Sequence, residues 1–206
     1  MIRRPPRSTH CISSAASDVY KRQAQAVQEA LDSGIFVVAA AGNRDSGENI
    51  SDVSVPANIE GVIAVGTMTR SAGTWSQSAT GSIVDPSTQE NRTYPNQKPE
   101  VIAPGVLLLS TSGSTIEPPY SYSTGTSDST VLVTGALALI LQLYGDELRG
   151  EDGQIGPDEM DLVKRTLASS CDKSLIEGAP HDKKGGYGSL DAVQWAADIA
   201  FELNVD

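Results

Sequence analysis

The feature that most constrains the fold is Gly34-Ile35-Phe36-Val37-Val38-Ala39-Ala40-Ala41-Gly42-Asn43, an apolar run with no polar break between two glycines. A strand with one wet face alternates apolar and polar residues. An unbroken run belongs instead to a strand covered on both faces, as in the parallel sheet of an α/β domain. Just before it, residues 24–33 place Ala26, Val27, Ala30 and Leu31 at helical spacing, and Gly34 supplies a helix stop. The reading is a helix over 24–33 that feeds a buried strand over 35–41. The strand ends at Asn43, where open α/β sheets place their sites. A carboxamide there can donate a hydrogen bond to an oxygen that is gaining negative charge. The alternative is an ordinary turn asparagine.

The second informative stretch is Tyr122-Ser123-Thr124-Gly125-Thr126-Ser127-Asp128-Ser129-Thr130-Val131-Leu132-Val133-Thr134-Gly135-Ala136-Leu137-Ala138-Leu139-Ile140-Leu141. It begins small and polar and ends as an apolar run of helical length. It reads as a loop turning into a buried helix, with Gly125-Thr126-Ser127 at the junction. In the first turn of a helix, unpaired N–H groups and the positive end of the dipole favour negative charge. A serine there can be a nucleophile whose oxyanion is stabilised, or it can be only an N-cap.

Together the two stretches resemble the subtilisin-like serine proteases, the subtilases. In that family a strand ending Ala-Ala-Gly-Asn carries the oxyanion asparagine, and a later Gly-Thr-Ser opening a central helix carries the nucleophile. The resemblance implies these roles for Asn43 and Ser127. Three further segments match in order. They are Ser54-Val55-Pro56-Ala57 with Val62-Ile63-Ala64-Val65-Gly66, then Lys98-Pro99-Glu100-Val101-Ile102-Ala103-Pro104-Gly105, then Gly186-Tyr187-Gly188-Ser189-Leu190-Asp191-Ala192. Ordered segments are far more specific than any single motif. The chain departs from the pattern at Asp128 after the serine, at Ser129 where the family has alanine, and at Val131 where it has proline.

A serine nucleophile needs a base, and the base needs an orienting carboxylate. The family order Asp, His, Ser places both upstream of the oxyanion strand. Of the two histidines, only His10 precedes Ser127, and it lies outside the matching region; His181 follows in a polar Gly/Lys loop. The resemblance therefore implies a three-layer α/β fold with a mostly parallel sheet, over the C-terminal part of a subtilase catalytic domain. The catalytic Asp and His are not in the matching region, so the expectation is a serine endopeptidase fragment that is inactive as given. The alternative is a non-catalytic subtilase-like binding or structural module. An α/β-hydrolase is disfavoured, since its elbow needs Gly-x-Ser-x-Gly and the fifth position here is Ser129.

Residues 1–23 differ in character, with five basic residues and one acid. They resemble translated sequencing-adapter sequence. The expectation is a disordered, non-native leader over 1–23 and the subtilase segment over 24–206. They hold no apolar run of signal-peptide length. Without them ten basic and 25 acidic residues remain, a net charge of −15. That argues against nucleic acid as a partner, and the subtilase resemblance implies a peptide or protein substrate. The longest apolar run, around 131–141, is too short to span a membrane, so no span is expected. A secreted or extracytoplasmic location follows only from the family resemblance. Under that location Asn49-Ile50-Ser51 and Asn91-Arg92-Thr93 would be glycosylation sequons.

The remaining elements read as a strand over 62–68, a rim of turns and short strands over 69–98, a third strand over 106–110 and a polar loop over 112–124. An acidic loop over 145–156 carries Asp146, Glu147, Glu151 and Asp152, where structural calcium is an expectation without an EF-hand spacing. Pro157-Asp158-Glu159 opens a helix to about Ser170, and 190–203 forms the last one. Cys171 reads as a small buried apolar residue.

Overall fold

The structure, a computed structural model, describes residues 9–44, 52–86, 88–113, 119–150, 153–177 and 180–205. Among the described residues, four α-helices and five strands follow in the order α1 (Thr9–Asp32), β1 (Val38–Ala40), β2 (Ile63–Met68), β3 (Val101–Pro104), β4 (Leu108–Thr111), β5 (Tyr120–Ser123), α2 (Thr126–Tyr144), α3 (Pro157–Ser170) and α4 (Ala192–Leu203), with one 3-10 turn at Lys173–Leu175.

The main sheet is parallel, in the order β1-β2-β3. Its continuous apolar strands alternate between two cores. Ile63, Val65, Val101 and Ala103 meet Val133, Leu137 and Ile140 of α2, Val163 and Leu167 of α3, and Trp195 and Ile199 of α4. On the opposite face Ala39, Ala41, Val62 and Ala64 meet Leu31 of α1, with Val53, Ala57 and Ala79. Helix, sheet and helix make three layers, as the sequence reading expects of a sheet buried on both sides.

Local chemistry fixes most element ends. Gly34 has φ +74°, a left-handed value that suits glycine, and its N–H closes on Leu31 O at 2.9 Å to end α1. Pro157 opens α3, and the Glu159 carboxylate accepts the Gly156 N–H at 2.8 Å. Asp191 caps α4 by accepting from Val193 N and Gln194 N. The Gly186–Ala192 segment reaches that cap along β3, with Ile102 N donating to Gly188 O and Leu190 N to Ile102 O.

Three expectations are corrected. The helix expected over 24–33 is the end of a longer one, because 9–23 continue it rather than lying disordered. That stretch holds neither glycine nor proline, so a helix formed at its C-terminal end can propagate through it. The third parallel strand is Val101–Pro104, inside the Lys-Pro-acid segment. The strand expected over 106–110 is instead β4, which pairs antiparallel with β5 in a separate ribbon. Over 69–98 the described residues form isolated bridges rather than strands.

Helix α2 is 19 residues long, with a mean hydropathy of 1.4 over its most apolar window, which is long and apolar enough to cross a membrane. Counting unbroken apolar runs misses this, because Thr134 and Gly135 interrupt the run without interrupting the helix. Here Thr126, Ser129, Val133, Leu137 and Ile140 of α2 are buried against the sheet, while Val131, Leu139 and Leu143 are exposed. Beside this exposed face, the outer edge of β1 and α2 enclose an open apolar groove of about 550 Å³ lined by Ile35, Val37, Thr134, Leu137 and Leu141.

Candidate active site

In a parallel sheet all strands end on the same side. Asn43 follows the end of β1, and Gly105 follows the end of β3. The chain returns to this edge through the β4–β5 ribbon, where Gly125 N donates to Gly105 O at 2.9 Å and α2 begins. Both glycines sit in tight surroundings, and Gly105 has no room for a side chain. A side chain on Gly105 would collide with Ser129 Oγ and Gly125 O, and one on Gly125 would press to 3.0 Å from Asn43 Nδ2.

Ser127 is not the N-cap. Gly125 occupies that position, and Ser127 is the second helical residue, exposed, with its hydroxyl bonded by no described residue. The cap comes from another element. Asn43 Oδ1 accepts the Thr126 backbone N–H at 2.9 Å and the Thr126 hydroxyl at 2.9 Å. Thr126 Oγ1 in turn accepts the Gly42 N–H at 3.2 Å. A backbone N–H can only donate, so the oxygen of the Asn43 amide must face α2, and its Nδ2 hydrogens form the donor end. The structure thus brings Asn43 and Ser127 to one sheet edge, joined through Thr126. The sequence reading missed Thr126, although its place between the glycine and the serine was visible.

Behind this edge Ser129 is fully buried. Its hydroxyl donates to Ala103 O at 2.8 Å and shares a 2.9 Å hydrogen bond with Thr67 Oγ1. The serine that departs from the family pattern therefore ties the first turn of α2 to β2 and β3. Asp128, the other unusual residue, accepts from Ser123 Oγ of β5 at 2.9 Å.

His181 lies elsewhere. Its Nε2 donates to Pro99 O at 2.9 Å, since a carbonyl only accepts, and its ring meets Tyr187 edge-on at 4.8 Å. Burial lowers its pKa from the ordinary value, opposed by the Pro99 carbonyl and by Glu100. Pro99 precedes β3 and Gly105 follows it, so about 20 Å of extended chain separates His181 from the serine edge. Cys171 is buried as expected, its thiol against Leu167 O at 3.1 Å and pushed up to about 12 by burial. For the expected calcium loop, Glu151 and Asp152 lie outside the described residues, as does the Asn49 sequon. Among the described residues no three His, Cys, Asp or Glu side chains converge on a cation position, and Asp146 faces Arg149 at 3.8 Å.

The profile of the Subtilase family matches residues 7–188. The chain belongs to the subtilase family. The match begins within the segment read above as a leader. Among relatives of this subtilase, Subtilisin DY of Bacillus licheniformis is 38% identical over 120 residues, covering 58% of this chain and 37% of that protein. Serine protease AprX of Bacillus subtilis (strain 168) is 31% identical over 160 residues, covering 72% and 33%. The chain thus spans about a third of the length of these curated relatives. In solved structures, the Prenylagaramide maturation protease PagA superposes with a TM-score of 0.58 at 23% identity, covering 85% of this chain and 54% of that one. The PatG macrocyclase domain gives 0.60 at 22%, covering 87% and 47%. At these identities the superpositions speak for the fold, which is the subtilisin-like one.

Proposed function

We propose that this chain is the part of a subtilase catalytic domain that carries the nucleophile, Ser127, and the oxyanion donor, Asn43, of a serine endopeptidase. The observation that carries the reading is the Thr126 link, which orients the Asn43 amide with its hydrogens outward beside the first turn that holds Ser127. In that arrangement Ser127 Oγ attacks a peptide carbonyl, and the carbonyl oxygen gains negative charge. The charge is met by Asn43 Nδ2 and by the Ser127 N–H in the first turn of α2, since the Thr126 N–H is held by Asn43 Oδ1 and the Asp128 N–H by Gly125 O. The proton of Ser127 needs a base, and His181 cannot reach it across the length of β3. The base and its carboxylate therefore come from outside 24–206, and that segment alone is inactive.

The uncovered apolar face of α2 and the open edge of β1 support a larger domain, because apolar surface of this extent is normally covered. The substrate is a peptide or protein, without a nucleic-acid partner or membrane span. An extracytoplasmic location is the family-based proposal, although one relative is named the Major intracellular serine protease of Bacillus subtilis. Calcium at the 145–156 loop is proposed only from its carboxylates.

The test uses the longer protein that carries this chain. Ser127→Ala should abolish hydrolysis of an unfolded protein. Asn43→Leu should lower kcat by about 10²–10³, the handicap of one lost oxyanion donor as measured in subtilisin itself, with KM unchanged. Hydrolysis that survives Ser127→Ala would overturn the assignment, and no hydrolysis in the parent protein would favour a binding module.

A further inference from the structure

Far from the serine edge, two lysines meet one carboxylate in the interior. Lys98, just before β3, and Lys164, on α3, both donate to Glu100 Oε1 at 2.8 Å. Glu100 Oε2 accepts the Ala64 N–H at 2.7 Å. Both amines also reach Val62 O, and Lys164 donates to Asn96 Oδ1. Lys98 and Glu100 are 1% exposed and Lys164 4%. With both amines charged, the cluster would hold one surplus positive charge away from water, and an uncompensated buried charge is strongly unfavourable.

The two lysines differ in their way out. Lys98 is enclosed on all sides. Burial, the largest influence, takes its amine down to about 7; Glu100 opposes this, while Lys164 and Arg92 push the same way as burial. Lys164 forms part of the wall of a cavity of about 310 Å³ between α1 and α3, where Asp32, Glu60 and Asp161 also line the space. Lys164 therefore borders an open, acid-lined space, whereas Lys98 does not.

We propose that Lys98, Glu100 and Lys164 form a proton-operated latch between α3 and the sheet: when Lys98 is neutral, Glu100 holds the Lys164 ammonium, and when Lys98 is charged it keeps the carboxylate while Lys164 swings into the acid-rimmed cavity. The other charged or titratable groups around the cluster are accounted for. Arg92 is held by Asp52 at 2.8 Å and faces Asp85 at 3.8 Å. Glu60 accepts from Asn96 Nδ2 at 3.2 Å, Asp161 pairs with Arg165 at 2.7 Å, and the Tyr187 hydroxyl donates to Gln97 Oε1 at 3.1 Å. His181 approaches through Pro99 O, but its pKa is lowered below 6.5, so its charge change falls on the acid side of the latch.

The experiment is a pH titration of the whole chain with isotope-labelled lysine, following each lysine side-chain nitrogen by NMR. The latch predicts that Lys98 Nζ titrates near pH 7 rather than near 10.5, and that Lys164 signals shift with the same midpoint. Lys164→Met removes the like charge and should raise the Lys98 midpoint by about one unit or more. Should that variant fail to fold, Glu60→Gln/Asp161→Asn, on the cavity rim, removes the receiving charges and should lower the midpoint instead. A Lys98 nitrogen that titrates above 10, or Lys164 signals that stay still while Lys98 titrates, would overturn the proposal.

Discussion

Asn43 Oδ1 accepts two hydrogen bonds from Thr126, one from its backbone N–H and one from its hydroxyl, each at 2.9 Å. One residue thus caps a helix that starts 83 positions later and, in doing so, fixes which end of its own amide faces outward. Stability and the proposed chemistry rest on opposite ends of one side chain, so they can be separated. Asn43→Ala should lower unfolding stability by about 1 kcal/mol, the usual value of an N-cap side chain. Asn43→Asp keeps an acceptor and adds a negative charge at the helix start, so stability should hold or rise by about 0.3–1 kcal/mol while the donor is lost. Urea unfolding of both variants checks this. Equal destabilisation by Ala and Asp would mean that the acceptor end carries no capping role.

The buried pair Ser129 and Thr67 gives a second prediction. Ser129→Ala leaves Ala103 O and the Thr67 hydroxyl short of a partner, and should cost about 1–3 kcal/mol. Thr67→Val in the same chain removes the stranded hydroxyl. The double variant should therefore be less destabilised than the sum of the two singles, by about 0.5 kcal/mol or more. Strict additivity would show that the two hydroxyls act independently.

His181 sets a pH dependence. Its folded pKa is lowered chiefly by burial, so the unfolded chain binds more protons in the interval just below pH 6.5. Stability contributed by the neutral ring is present above 6.5 and lost as pH falls through the folded value. His181→Gln keeps a neutral donor to Pro99 O and should flatten this acid limb in melts between pH 8 and 5. An unchanged limb would place its origin in other groups.

Residues 1–23 are proposed as a non-native leader; among the described side chains of α1, Val27 and Leu31 reach the core, both beyond residue 23. Deleting 1–23 should leave the melting temperature essentially unchanged. A clear drop would show that this segment packs as part of the native fold.

Legibility followed the range of the interactions involved. The bounds of α3 could be read from Pro157 and its acids because capping is local. The burial of β1 and β2 could be read from unbroken apolar runs. Strand β3 escaped notice because it is four residues long, and β5 because Tyr120-Ser121-Tyr122-Ser123 is exposed throughout and is ordered only by pairing with β4. The same holds at the site. Ser127 and Asn43 stood out as ends of periodic segments. The role of Thr126 and the reason for a serine at 129 depend on partners 83 and 62 residues away, which no local pattern reveals.

The most direct measurement is turnover by the chain itself. Ser127 and Asn43, the proposed nucleophile and oxyanion donor, share one sheet edge, and without a base inside 24–206 the Ser127 hydroxyl should stay protonated and weak. The 24–206 chain, assayed on an unstructured protein, should show no hydrolysis that depends on Ser127, and the same chain with Ser127→Ala should be indistinguishable from it. Turnover that Ser127→Ala abolishes would contradict the account, because it would require a base for Ser127 within 24–206.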